Sequence, residues 1–250
     1  MLAAERRQLV LDAVRSDQGS GVAALAARFG VSEITVRRDL TWLASQGKLT
    51  RVHGGAISDA DEPPFTATKA ERRGAKSRIG QAAAQLVEDG QTVMIDIGTT
   101  ALELARAMRG RELTVITSNL AVVEELLPET GIELVLLGGV VRRNYRSLVG
   151  VIAEDALRQL SADIAFLGAS GVRSRDLSVM DTTTIEVPIK RGMLTAAKRA
   201  VLLVDARKFS AGGVVRVCGI DTFDTIVTDA TPNEPLVLAA VEAGVRVVHA

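Results

Sequence analysis

The chain has 250 residues, 47% hydrophobic and 24% charged, with 30 basic side chains balancing 30 acidic ones to a formal net charge of zero. That length can bury one large core or a small and a medium one, and a neutral total gives no overall pull toward nucleic acid. No apolar run is long enough to cross a bilayer, and Met1 to Arg7 is charged where a secretory leader needs an apolar stretch, so a cytoplasmic protein without a membrane partner is expected.

The neutral total hides an asymmetry. Residues 1–57 carry eight basic and five acidic side chains, a local +3 on a body of about −3. Leu9, Val10, Ala13 and Val14 recur at helical spacing between Arg6 and Val14. After the break DQGSG, Val22, Leu25, Ala26 and Phe29 do the same. Gly30 then suits a left-handed helix end, and Ser32 can cap a second helix, which together give a helix-turn-helix. In that second helix Val36, Leu40 and Leu43 share the packed face. Ile34, Arg38 and Thr41 point away, flanked by Thr35, Arg37 and Trp42. Arginines pair with guanine and an apolar side chain meets a thymine methyl, so this face suits the major groove of double-stranded operator DNA. Ser32 and Thr35, near the helix start, suit phosphates. Asp39 reads as an ion-pair partner of Arg37 or Arg38. Alternation from Lys48 to the double glycine Gly54-Gly55 predicts a β-hairpin wing presenting Lys48, Arg51 and His53 to the DNA backbone or minor groove. The plainer alternative is a solvated basic face, which would not also bring a capped turn.

Residues 58–76, with Pro63-Pro64 and a charged run, read as a linker between a DNA-binding domain at 1–57 and a second domain at 77–250. Beyond it TVMIDI, LTVITS, IELVLLG, ADIAFLGA, AVLLVDA, DTIVTD and VRVVHA read as strands. Helical stretches at Ser77–Glu88, Thr99–Met108, Leu120–Leu127, Ile152–Leu160, Pro188–Ala197 and Glu234–Ala243 fall between most of them. This alternation predicts an α/β domain, mainly parallel, with helices on both faces of the sheet. Polar loops follow the first three strands: Asp96-Ile97-Gly98-Thr99-Thr100, Thr117-Ser118-Asn119 and Gly138-Gly139. Each alone is ordinary helix capping; three at strand carboxyl ends make a ligand site, and the Gly98-Thr99-Thr100 turn offers amides and hydroxyls to an anion. Cys218 is the single cysteine and reads as a core residue. With His53 and His249 the only histidines, neither a metal nor a cofactor is expected.

The string VSEITVRRDLTWLASQGKLTRVHGGA resembles the signature of the DeoR family of bacterial transcriptional regulators, in register from Val31-Ser32 through Thr35–Leu40 to His53–Ala56. The resemblance implies operator contact by the second helix and backbone contact by the wing. From Lys76 to Ala230 the chain is also similar to the family's sensor domain, whose fold resembles ribose 5-phosphate isomerase. Matches stand at Ser147–Gly150, Phe166–Gly171, Asp181, Glu186 with Lys190, and Asp205–Phe209. The resemblance implies a phosphorylated sugar effector near Asp96, Gly98, Thr99, Thr100, Thr117, Ser118, Asn119, Gly138, Gly139, Ser147, Gly168, Ser170, Glu186 and Lys208. It further implies a repressor of a carbohydrate-metabolism operon. A homo-oligomer, a dimer or a tetramer, is expected because a single helix-turn-helix reads too few base pairs for specificity.

A sugar-phosphate isomerase retaining weak activity is the alternative: aldose-ketose exchange needs a carboxylate base, and Asp96, Asp181 and Glu186 remain as carboxylates near the expected pocket. The segment similar to the acid-bearing isomerase loop reads Leu167-Gly168-Ala169-Ser170-Gly171, without an acid, and favours binding over turnover. Pro188 departs from a continuous helix over 184–197; a start near Val187 would place it in the first turn.

Overall fold

The computed structural model describes residues 3–16, 20–45, 49–52, 55–57, 65 and 70–250. At the N-terminus α1 (Ala3–Ser16), α2 (Val22–Phe29) and α3 (Glu33–Ser45) enclose a core of Val10, Leu11, Val14, Val22, Leu25, Val36, Leu40 and Leu43. Each of these aliphatic side chains is worth roughly 1.5–3 kcal/mol when fully buried, against which the ordering entropy of the unit is set. Gly30 takes φ 63° and ψ 35°, and its N–H closes the end of α2 on the Ala26 carbonyl. The Ser32 hydroxyl accepts the Thr35 amide at 3.2 Å and so caps α3, as the sequence predicts. Short strands β1 (Ser20–Gly21), β2 (Thr50–Val52) and β3 (Gly55–Ile57) form an antiparallel sheet in the order β1-β3-β2, with Arg51 opposite Ala56. That is the expected hairpin.

The second unit is a seven-stranded sheet whose described pairings are all parallel. Its strands are β4 (Thr92–Ile95), β5 (Leu113–Thr117), β6 (Ile132–Leu136), β9 (Ala162–Gly168), β12 (Ala197–Leu203), β14 (Thr225–Thr228) and β15 (Arg246–His249). All seven strands expected from the sequence are present. Their side chains alternate between two cores. Val93, Ile95, Ile164, Phe166, Val201 and Leu203 enter one, while Met94, Ala165, Leu167 and Leu202 enter the other, as the pleat dictates for a sheet covered on both faces.

Helices α4 (Arg73–Ala84), α5 (Thr99–Ala107) and α6 (Leu120–Leu126) cover the first face through Ile79, Ala83, Leu104 and Val122. Helices α7 (Val151–Leu157), α8 (Val187–Ala196) and α9 (Pro235–Glu242) cover the other through Ala153, Ile189, Met193 and Val237. Pro188 sits in the first turn of α8, where its missing N–H costs no helical bond. On α4, a Cβ at Gly80 would lie 2.6 Å from the Glu103 backbone of α5, so this glycine sets how closely the two helices approach. The first turn of α4 overlaps the stretch read as linker.

Two small antiparallel sheets have no counterpart in the sequence reading. One pairs β7 (Val140–Arg142) with β8 (Ser147–Val149); the other joins β10 (Gly171–Arg173), β11 (Ser178–Asp181) and β13 (Val215–Gly219). In the main sheet the strand order is β15-β14-β12-β9-β4-β5-β6. The chain winds outward from β4 through β5 to β6, then returns to β9 on the opposite side. The carboxyl ends of β4 and β9 therefore form a topological switch point, where open α/β sheets leave a crevice.

Candidate DNA-binding face and effector cavity

On α3 the exposed positions include Ile34, Arg37, Arg38, Thr41 and Trp42, and the buried ones are Val36, Asp39, Leu40 and Leu43. Ile34 is 64% exposed, which suits an apolar contact in a groove. Arg38 makes no ion pair among the described residues, whereas Arg37 is held by Glu33 one turn back at 3.2 Å. Ser32 and Thr35 link their hydroxyls at 2.9 Å at the helix start, and Thr41 donates to the Arg37 carbonyl at 2.7 Å.

Asp39 corrects an expectation. It pairs not with Arg37 or Arg38 but with Arg6 at 2.6 Å and Arg7 at 3.0 Å on α1. Position 39 lies on the packed side of α3 beside Leu40, so its carboxylate reaches across to the neighbouring helix and ties the recognition helix to it. That contact raises the Arg6 pKa through its hydrogen bond to Asp39, which outweighs desolvation. Arg7 also stacks over Trp42, 4.4 Å from the ring centroid. Lys48 and His53 lie outside the described residues, as does the side chain of Arg51.

At the switch point is a cavity of about 180 Å³, below the about 300–1,000 Å³ of sites for drug-sized ligands and suited to a small metabolite. Of the sequence-derived effector residues, Gly98, Thr99, Thr100, Gly168, Ser170 and Lys208 line it. Gly98, at φ 105°, turns the chain into α5 without any side chain capping the helix, leaving first-turn amides for an anion. The Lys208 amine makes no hydrogen bond or ion pair among the described residues. Burial lowers its pKa; Asp205 opposes this and Arg207 adds to it.

The other residues lie behind the cavity wall. Asp96 is buried and accepts the Gly168 amide at 3.0 Å as well as the Lys190 amine, bridging the loops after β4 and β9. Lys190 also reaches the Gly168 carbonyl at 2.9 Å and Asp181 at 3.4 Å. Burial disfavours its charge, but Asp96 and Asp181 outweigh that and hold its pKa above the usual lysine value. Thr117 donates to the Ile95 carbonyl at 2.6 Å, and Asn119 caps α6 while donating to the Asp96 carbonyl at 3.3 Å. Ser118 is buried, and its carbonyl accepts the Leu148 amide. Gly139 has φ 136° and a Cβ there would stand 2.5 Å from the Val149 carbonyl; a Cβ on Gly138 would meet Ile152 at 2.9 Å. Gly139 thus seats the β7–β8 hairpin, while Gly138 lies against α7. Ser147 and Arg142 donate to the buried Glu186 carboxylate at 2.7 and 2.6 Å.

Two family models match the chain: a DeoR-like helix-turn-helix domain over residues 6–62 and a DeoR C-terminal sensor domain over residues 71–230. The chain belongs to the DeoR family. An uncharacterized HTH-type transcriptional regulator of Escherichia coli K12, YgbI, is 35% identical over 92% of this chain and 91% of its own length. The glycerol-3-phosphate regulon repressor of the same strain is 32% identical over 91% of each. Among solved structures, ribose 5-phosphate isomerase A from Methanocaldococcus jannaschii is similar at 20% identity, covering 56% of this chain and 55% of its own, with a TM-score of 0.42.

This DeoR-family chain is thus a DNA-binding transcriptional regulator with a helix-turn-helix ahead of a mostly parallel α/β domain. Its cavity also takes in Glu71, Lys76, Tyr145, Asp181, Thr182, Lys190, Asp205 and Arg207, which the sequence-derived set omits. The spacing of Glu186 and Lys190, one helical turn apart, signals a shared face. Nothing in the local sequence brings Lys76 or Tyr145 to the crevice, since each arrives there through long-range packing. Among the described residues no helix is long and apolar enough to cross a membrane, and no group of three or more His, Cys, Asp or Glu is placed to hold a metal ion.

Proposed function

We propose that this DeoR-family regulator is a sequence-specific repressor of a carbohydrate-metabolism operon, controlled by a small phosphorylated sugar or polyol and acting as a homo-oligomer. The observation that carries the ligand reading is one cavity holding both the uncapped start of α5 and the Lys208 amine. Amides and a cation converging at the end of a parallel strand suit a phosphate, and Ser170 and Thr182 offer hydroxyls to the remainder of the ligand. A relative named for the glycerol-3-phosphate regulon supports the same class of ligand. On this reading Gly98, Thr99, Thr100, Gly168, Ser170 and Lys208 touch the effector. Asp96, Thr117, Ser118, Asn119, Ser147 and Glu186 hold the loops that carry those contacts.

DNA recognition falls to Ile34, Arg37, Arg38 and Thr41 for bases and to Ser32, Thr35 and the wing for the phosphate backbone. One helix-turn-helix reads few base pairs, so paired half-sites in an oligomer supply specificity, and ligand binding that alters their spacing changes affinity. Each carboxylate lining the cavity is engaged by a cation, Asp181 by Lys190, Asp205 by Arg72 and Glu71 by Arg207, an arrangement for binding rather than proton transfer.

The test measures operator binding by fluorescence anisotropy, using the protein's own promoter region, with and without glycerol 3-phosphate, ribose 5-phosphate, glucose 6-phosphate and fructose 1,6-bisphosphate. A compound that shifts DNA affinity and also raises the melting temperature supports the reading. If none does either, the phosphorylated effector is wrong.

A further inference from the structure

We propose that the segment entering from the linker is itself part of the ligand site: Lys76 binds the anionic group together with Lys208, and Glu71 weakens that binding, so occupancy is felt directly at the linker. This rests on the phosphorylated-ligand reading above. Two anchors bring the segment to the cavity. At the first, the Phe65 amide donates to the Asn144 carbonyl at 2.9 Å, and its ring is buried against Leu102 of α5 and Ala121 of α6. Asn144 adjoins Tyr145, a wall of the cavity. At the second, Arg72 adopts φ 47°, uncommon for a non-glycine residue, and donates to Asp205 at 3.1 Å and Asp229 at 2.6 Å.

Pinned there, the chain places Glu71 and Lys76 on either side of Arg72 and in the cavity wall. Lys76 is only 5% exposed. Burial lowers its pKa against the pull of Asp205 and Glu71, with Arg207 and Lys208 adding repulsion. A second anion would relieve that repulsion, and Glu71, at 3.5 Å from Arg207, competes with any such anion for the same cation. A dianion seated between Lys76 and Lys208 therefore draws the start of α4 toward the sheet and frees Arg207 from Glu71.

The experiment uses full-length protein and whichever compound of the panel above binds the wild type, with affinity read by titration calorimetry. Lys76→Met is expected to weaken binding about tenfold or more, the scale of one lost charge-assisted contact, and Lys76→Arg to recover most of it. Glu71→Gln, a substitution at an exposed side chain, is expected to tighten binding several-fold. At saturating ligand, trypsin cleavage within residues 58–76 should slow for the wild type and for Lys208→Met but not for Lys76→Met. Lys76→Met and Glu71→Gln proteins that bind as the wild type does overturn this inference and leave the effector reading standing. Should Lys76→Met not fold, an unchanged affinity in Glu71→Gln overturns it alone. Absence of binding by the wild type removes both.

Discussion

Arg142 donates from Nη1 to Oε1 of Glu186 at 2.6 Å, and neither side chain is open to solvent. The pair joins the β7–β8 hairpin to the start of α8, and four residues further along the same helix Lys190 grips Asp96 under the cavity. One helix face therefore sets the position of both the hairpin and the switch-point loops.

Replacing Glu186 with Gln removes the charge opposite a fully buried guanidinium. The expected cost is about 3–5 kcal/mol, as for other buried pairs broken on one side. Urea unfolding checks it. A loss under 1 kcal/mol would show that Tyr145, stacked 4.3 Å from Arg142, and its other contacts hold that cation without the carboxylate.

Arg38→Ala is expected to weaken operator binding by about 1–3 kcal/mol while leaving affinity for random DNA nearly intact, as follows if the guanidinium, exposed on the far side of α3 from the helical core, reads a base as proposed. Anisotropy titrations on both DNAs decide the matter. Equal losses on the two would make Arg38 a phosphate contact instead.

Gly80→Ala probes the α4–α5 contact. The added methyl meets backbone rather than a flexible side chain, so the helices must separate. Overpacking of about 1–3 kcal/mol outweighs the roughly 1 kcal/mol that alanine gains in helix propensity. The urea midpoint should fall with its slope unchanged; a rise would mean that the helices part at no cost.

Ligand affinity should fall as pH rises from 8 toward 10. Lys76 and Lys208 both have pKa values lowered from 10.5, chiefly by burial, so in the empty cavity they lose their protons earlier than a free lysine does. A bound dianion favours the charged amines, so binding takes up protons in that range and weakens as they become scarce. A phosphate monoester is already fully ionised there, its second pKa being about 6. Calorimetry in buffers of different ionisation enthalpy measures the uptake directly. Affinity independent of pH across that range would place the anion away from both lysines.

Much of this architecture is legible in the residues. The seven strands stand out because a sheet covered on both faces needs near-continuous aliphatic runs, and α3 stands out because Gly30 and Ser32 bracket a three-residue turn. The β7–β8 and β10–β11–β13 sheets do not, since strands of three to five residues are too short to carry a period of their own, and β13 joins β11 from far along the chain. Asp39 shows the same limit in the other unit. Its neighbours in sequence are arginines, but its orientation on the packed face sends it to Arg6 and Arg7 instead.

The cavity divides along that line. The sequence by itself determined that polar loops close the first strands and that Gly98-Thr99-Thr100 opens a helix, because local backbone demands select those residue types. Only the tertiary structure decided which polar groups face the ligand space and which brace it. Asp96, Asn119 and Glu186 turn inward to satisfy buried donors, while Lys76, from the edge of the linker, comes to lie with Lys208 at the crevice. Strand order brings β4 beside β9 across more than sixty residues, and no local pattern encodes that adjacency.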